Sequence, residues 1–165
     1  MPFDSNFYKM WDVHQVDNKL GALLLYIERH QYVDDDAWDF IVTPEVAGHL
    51  NLFSAIECDA FVQEMEYLEE DLLFRLADIF LFEVDNQYFD VYFLYCKIFM
   101  TVSNLEHKKY LLDNIHNANC IVKGSQPLAF YEALRKEVIA VVEKVHRDYA
   151  YALEKIDEKI VEERD

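Results

Sequence analysis

The sequence predicts an all-α protein, an irregular bundle of about 6–8 helices with a long C-terminal helix. Three observations predict it. Apolar residues recur at three- and four-residue spacing through most of the 165 residues. Breakers are scarce: three Gly (Gly21, Gly48, Gly124) and three Pro (Pro2, Pro44, Pro127) imply short loops and long helices. With 53% hydrophobic residues, among them 12 Phe, 11 Tyr and 2 Trp, the chain has the bulk for a well-filled core. Its length suits a single helical domain over residues 1–165.

Taken in order, Asp4 or Ser5 can cap a short helix over residues 6–13. Asp17 can cap the next, in which Leu20, Leu23, Leu24 and Ile27 lie at helical spacing up to His30. The turn Asp34-Asp35-Asp36 should cap a short helix holding Trp38 and Phe40. Thr43-Pro44-Glu45 reads as a further start: a hydroxyl cap, Pro in the first turn, then a carboxylate at the positive end of the dipole. From Asp59 to Phe82 one stripe runs through Phe61, Met65, Leu68, Leu72, Leu76 and Phe80. Ser103-Asn104-Leu105-Glu106 fits a capping box and opens a helix ending near His116. Lys123-Gly124-Ser125 is the clearest break in the second half.

Beyond it, residues 126–163 form one pattern, with Leu134, Val138, Val141, Val145, Tyr149, Ala152, Ile156 and Ile160 stepping by three and four. A straight helix of that length reaches roughly 57 Å, against about 40 Å for a compact domain of this size. It must bend, break or overhang past Tyr151. Residues 79–95 admit two readings. Their aromatic runs on either side of Asp85-Asn86 could pair as a β-hairpin, but they continue past strand length and favour two consecutive helices, one of which Asp85 could cap.

The net charge of −17 is unevenly placed. Residues 1–29 hold four acids and three bases, and residues 97–165 hold twelve acids and eleven bases. Residues 30–96, the acidic middle, hold sixteen acids and one base, Arg75. Asp34, Asp35, Asp36, Asp39 and Glu45 form one cluster; Glu57, Asp59, Glu64, Glu66, Glu69, Glu70 and Asp71 form another. Like charges one helical turn apart each destabilise by a few tenths of a kcal/mol. Solubility is one explanation of such density; a surface for a cationic partner is the other. Nucleic acid is repelled by the same sign.

The chemistry-bearing residues are few. Asp113-x-x-His116 and Glu143-x-x-His146 have the carboxylate-x-x-His spacing that ferritin-like bundles use for paired metals. Helical geometry turns Glu143 about 150° and His146 about 90° from the centre of the apolar stripe, and Asp113 falls on a polar face. No metal is expected. Glu45 and His49 flank Gly48 in what reads as an exposed turn, and His14, His30 and His107 read as surface histidines. No GxSxG, P-loop or GxGxxG occurs, so neither an enzyme nor a cofactor is expected. Cys58 sits between Glu57 and Asp59, whose charge should raise its thiol pKa.

Cys58, Cys96 and Cys120 are widely spaced and read as reduced, mostly buried thiols. Residues 1–20 carry no apolar leader. The most apolar stretch, 72–102, is interrupted by Arg75, Asp78, Glu83, Asp85, Asp90 and Lys97, short of the roughly 20 apolar residues that span a bilayer. A cytoplasmic protein that avoids membranes is the expectation.

Tyr32, Trp38 and Phe40 interleave with the aspartates, as do aromatic anchors in a surface for a basic protein. The competing reading makes Trp38 and Phe40 core and leaves the aspartates on the rim. The candidate partner-binding residues are Asp34, Asp35, Asp36, Trp38, Asp39, Glu64, Glu66, Glu69, Glu70 and Asp71. They imply an acidic helical binding protein that masks a basic partner, most naturally a nuclease toxin with a cationic groove. In general character this is similar to the bacterial immunity proteins, without a shared motif. A phage-type nucleic-acid mimic, a helical metal-binding domain and a constitutive subunit of a larger assembly are the alternatives. Bound metal after purification would single out the metal-binding one.

Overall fold

The computed structural model describes residues 15–165, and every regular element among them is helical. The helix expected over residues 6–13 and the position of His14 lie outside the described residues. The eight longer helices are α1 (Gln15–Arg29), α2 (Thr43–Leu50), α3 (Ala55–Met65), α4 (Glu70–Phe82), α5 (Val91–Thr101), α6 (Leu105–Leu111), α7 (Leu128–Val145) and α8 (Ala150–Arg164). The contacts gather into two compact units. The first runs to Arg75 and includes Phe82–Phe89; the second comprises Leu76–Leu81 and Asp90–Asp165. α4 contributes its first half to one and most of its second half to the other.

In the first unit α1 already runs at Gln15, so Asp17 lies inside it rather than capping it. Its Leu20, Leu23 and Ile27 are buried, and it packs on α2 and α3. Asp34 caps the next turn as expected, its Oδ1 accepting from Ala37 N–H at 2.8 Å. That turn, Asp35–Ala37, widens into a π-helix over Trp38–Val42 and continues without interruption into α2. Thr43 therefore has no free N–H groups to cap, and Pro44, which has no N–H to donate, follows it in the first turn of α2. Glu45 and His49, expected in an exposed turn, lie instead one turn apart on the exposed face of α2, paired at 3.1 Å.

The stripe from Asp59 to Phe82 is two helices rather than one. α3 opens on a capping box, with Ser54 Oγ accepting from Glu57 N–H at 3.3 Å and Glu57 Oε1 accepting from Ser54 N–H at 3.1 Å. It stops at Met65. Glu64, Glu66, Glu69, Glu70 and Asp71 would place five carboxylates on two turns of a continuous helix; the chain turns through 66–69 instead.

The stretch 79–95 forms the end of α4, a loop and α5, not a hairpin. Asn86 ties the loop: its Nδ2 donates to the carbonyls of Leu50 and Phe53, both at 2.9 Å, and its Oδ1 accepts from Tyr88 N–H at 3.0 Å. Asp90, not Asp85, caps α5, accepting from Phe93 N–H at 3.1 Å.

In the second unit Asn104 is the cap of α6, accepting from the N–H groups of Glu106 and His107. The helix tightens after Leu111 into a 3-10 run over Leu112–Cys120, past the expected end at His116. Gly124 turns the chain at φ 76°. Of the three outcomes open to the segment 126–163, the structure takes a break. His146, at φ 54° and ψ 42°, ends α7 in a left-handed turn, and α8 folds back antiparallel, pairing Asp157 with Arg135 and Arg164 with Glu132.

Candidate functional site

Three bases are recruited to interior or near-interior positions, and they define how each unit treats charge. Arg75 is the single base among residues 30–96. Its Nη2 donates to the Val33 carbonyl and to Asp35 Oδ1, each at 3.1 Å, and the guanidinium lies 4.7 Å above the Trp38 ring. The clamp fixes the acidic turn against α4. Of the surrounding acids, Asp35 takes its counter-charge from Arg75.

That geometry corrects one expectation. Trp38 is 4% exposed, a core residue beneath Arg75, and presents nothing to a partner. The aromatic residues that do stand out are its neighbours: Tyr32 is 91% exposed and Phe40 79%. Trp38 and Val42, four residues apart, share the inward face of this turn while Phe40 and Ile41 between them point out.

Asp34, Asp35, Asp36 and Asp39 are exposed, as are Glu64, Glu66, Glu69 and Asp71; Glu70 is half-buried. A groove of about 440 Å³ takes in part of the second cluster and none of the acids of the first. Tyr32 lines it together with Tyr67 and with Glu69 and Asp71 of the second cluster, and Glu28 from the last turn of α1 completes the wall. Of the predicted residues only Glu69 and Asp71 line it; Asp34, Asp35, Asp36, Trp38, Asp39, Glu64, Glu66 and Glu70 do not. Tyr67 is 85% exposed, so two phenol rings and three carboxylates share one depression. Glu28 and Tyr67 were not singled out in sequence. Tyr67 carried a signal, an aromatic residue inside an acid run; Glu28 carried none, since it enters only through the packing of α1.

Glu57 belongs to the second cluster in sequence but not in space. It is buried, completes its capping box, and has Lys19 3.6 Å from its Oε2. Cys58 beside it has its pKa pushed up to about 11, by burial first and then by Asp59 and Glu57, against a hydrogen bond from Asn86 that lowers it. The neighbouring charges contribute as the sequence suggests, but burial is the larger cause. Cys96 is buried and its thiol is raised by the same cause, with Asp90 adding to it. Cys120 is exposed, and all three cysteines are free. His30 and His107 are half-buried rather than on the surface, His30 with Nδ1 2.7 Å from the Tyr26 carbonyl.

In the second unit two bases turn inward. Lys108 is buried, donates to the Phe99 carbonyl at 2.9 Å and pairs with Glu137 at 3.0 Å. Lys159 is 1% exposed; it donates to the Ile121 carbonyl and pairs with Glu162 and Glu163, both at 3.1 Å. Burial alone would raise the Glu163 pKa, but the bonds from Lys159 and Gly124 N–H hold it below its ordinary value. Tyr131, whose ring lies 5.8 Å from Lys159 Nζ, has its phenol pushed up to about 12 by burial and then by Glu163.

The metal-like pairs do not converge. Asp113 and Glu143 are exposed, His146 occupies the left-handed turn, and His116 packs 5.3 Å from the Tyr151 ring. Among the described residues no three His, Cys, Asp or Glu side chains gather as a metal site. No described helix is long and apolar enough to cross a membrane. No protein-family model matches the chain, and no curated protein or solved structure matches it either.

Proposed function

We propose that this chain is an acidic helical binding protein that masks a basic partner protein, and that the groove between Tyr32 and Tyr67 is the centre of its binding surface. One observation carries the reading. Two exposed tyrosines and the carboxylates of Glu28, Glu69 and Asp71 line one depression. Tyrosine supplies rigid contact area with little rotamer entropy to lose, and it accepts a cation over its face. Carboxylates around it favour lysine and arginine and steer their approach. The exposed aspartates 34, 35, 36 and 39 extend the negative field beyond the groove. A nuclease toxin, whose substrate groove is cationic, has the complementary surface.

The test begins with a partner co-purified at low salt from cells that produce the protein naturally, followed by association kinetics at rising ionic strength. The on-rate should fall with salt. Tyr32→Ala and Tyr67→Ala should each raise the off-rate about tenfold or more if the tyrosines are anchors. An identified partner whose affinity ignored salt and both substitutions would sink the proposal.

A further inference from the structure

We propose that α8 exchanges between two copies of this chain, α7 and α8 fusing into one continuous helix across residues 146–149. The observations lie on either side of the break. Val138, Val141, Val145, Tyr149, Ala152 and Ile156 advance by three and four residues with no change of phase through it. At 100° per residue all six fall within an arc of about 80°. No Gly or Pro occurs between Leu128 and Arg164. The helix is interrupted over residues 146–149, where His146 takes a left-handed conformation that costs any side chain with a Cβ. Local preference along the chain therefore favours continuity.

The hairpin is held by what α8 touches. Ile156 is buried, Lys159 reaches the Ile121 carbonyl, Glu163 accepts from Gly124 N–H at 3.1 Å, and Asp157 pairs with Arg135 at 2.6 Å. A site vacated by α8 would leave the Ile121 carbonyl and the Gly124 N–H without these partners. The occupant that restores all of them is another copy's α8, which carries Lys159, Glu163 and Asp157 at the same spacing. Each protomer then re-forms its closed contacts while both lose the left-handed turn. A short hinge under strain invites such exchange. Asp148 opposes it, its Oδ1 accepting from Ala150 N–H at 2.9 Å and so stabilising a separate start for α8. The formal charge of −17 on each copy repels the other, so salt should favour the exchanged dimer.

The experiment is light scattering on the full chain after long incubation at millimolar concentration and high salt, where a monomer weighs 19.7 kDa and a dimer twice that. His146→Gly, which removes the left-handed penalty, should lower the dimer fraction several-fold. His146→Ala combined with Asp148→Ala, which favours helix and removes the second cap, should raise it several-fold. In the isolated dimer the amides of 147–149 should gain protection from hydrogen exchange, because a continuous helix supplies their carbonyl partners. Wild type and the alanine variant both remaining monomeric would overturn the proposal. So would a dimer whose hinge amides exchange as freely as the monomer's, which is side-by-side association. Should the alanine variant fail to fold, the glycine variant and the hinge exchange of the wild-type dimer still decide.

Discussion

Residues 30–75 and residues 97–165 each hold twelve acids, yet the first stretch has one base and the second eleven. The two stretches differ in how many bases they set against the same number of acids. In the second, Lys108 and Lys159 are buried on backbone carbonyls and on the carboxylates of Glu137, Glu162 and Glu163, so charge is used to join elements. In the first, the one base locks a turn onto α4, and the acids other than the buried Glu57 and half-buried Glu70 are exposed. Charge that is paired internally is architecture. Charge that stays exposed on a surface is the part that a partner can use.

The largest expected effect lies in the second stretch. Lys159→Ala removes the donor to the Ile121 carbonyl and leaves the buried Glu163 carboxylate short of its partner. Losing one member of a buried pair should lower stability by about 4 kcal/mol, measured by urea unfolding. A loss below about 1 kcal/mol, the range of an exposed pair, would break the comparison by making Lys159 no different from a surface lysine.

In the first stretch Trp38→Ala should cost about 3–4 kcal/mol, since it empties a core position beneath Arg75. Partner dissociation should be unchanged at equal folded fraction, because Trp38 is not on the surface. Arg75→Ala should cost less, about 1–2 kcal/mol, from two hydrogen bonds and the ring contact. A Trp38 variant that kept its stability and lost its partner would return Trp38 to the interface.

The periodicity of apolar residues carried the helical class, because helix burial follows a local rule that the chain itself displays. Asp34 as a cap and the helices at 79–95 follow from the same local rules. What was not legible depends on residues distant in sequence. Trp38 and Phe40 look alike in the string DDDAWDF, and only the packing of Trp38 beneath the guanidinium of Arg75 separates core from surface. The stripe from 59 to 82 hid its break because the apolar spacing survives the turn at 66–69, while the acids that oppose a continuous helix sit on its other face. Glu28 reached the groove through tertiary packing alone. The break at 146 has no Gly or Pro to announce it; α8 folds back for its contacts, against local preference.

A pH dependence sharpens the same contrast. Cys58 in the first unit is pushed up to about 11, chiefly by burial. A thiol with a raised pKa is held neutral by the fold, so its contribution is complete below the unfolded value near 8.5. Between there and about 11 the unfolded chain loses its proton while the folded one keeps it, so stability falls as pH rises. Urea midpoints measured from pH 8 to 11 should decline, and Cys58→Ala should flatten part of that decline. At pH 8 a thiol reagent should modify the exposed Cys120 quickly and leave Cys58 and Cys96 intact until the protein unfolds.

The smallest expected effect on stability is also the most direct test of the acidic surface. Replacing Asp34, Asp35 and Asp36 together by Asn removes three charges from the turn. Asn caps a helix about as well as Asp, so the bond to Ala37 N–H survives at position 34. Asp35 is highly exposed, and its pair with Arg75 is worth little in water; the guanidinium keeps the Val33 carbonyl and the Trp38 ring. Asp36 is exposed, and no bond made by its side chain is lost with its charge. Relief of repulsion among neighbouring acids acts in the opposite direction by a few tenths of a kcal/mol. The stability change should therefore stay within about 0.5 kcal/mol of zero. The on-rate for a basic partner should still fall, and its slope against ionic strength should flatten, because steering depends on the summed field rather than on any single contact. A triple variant that lost stability but kept its on-rate would make the acidic turn architecture after all, and the two stretches would no longer differ in kind.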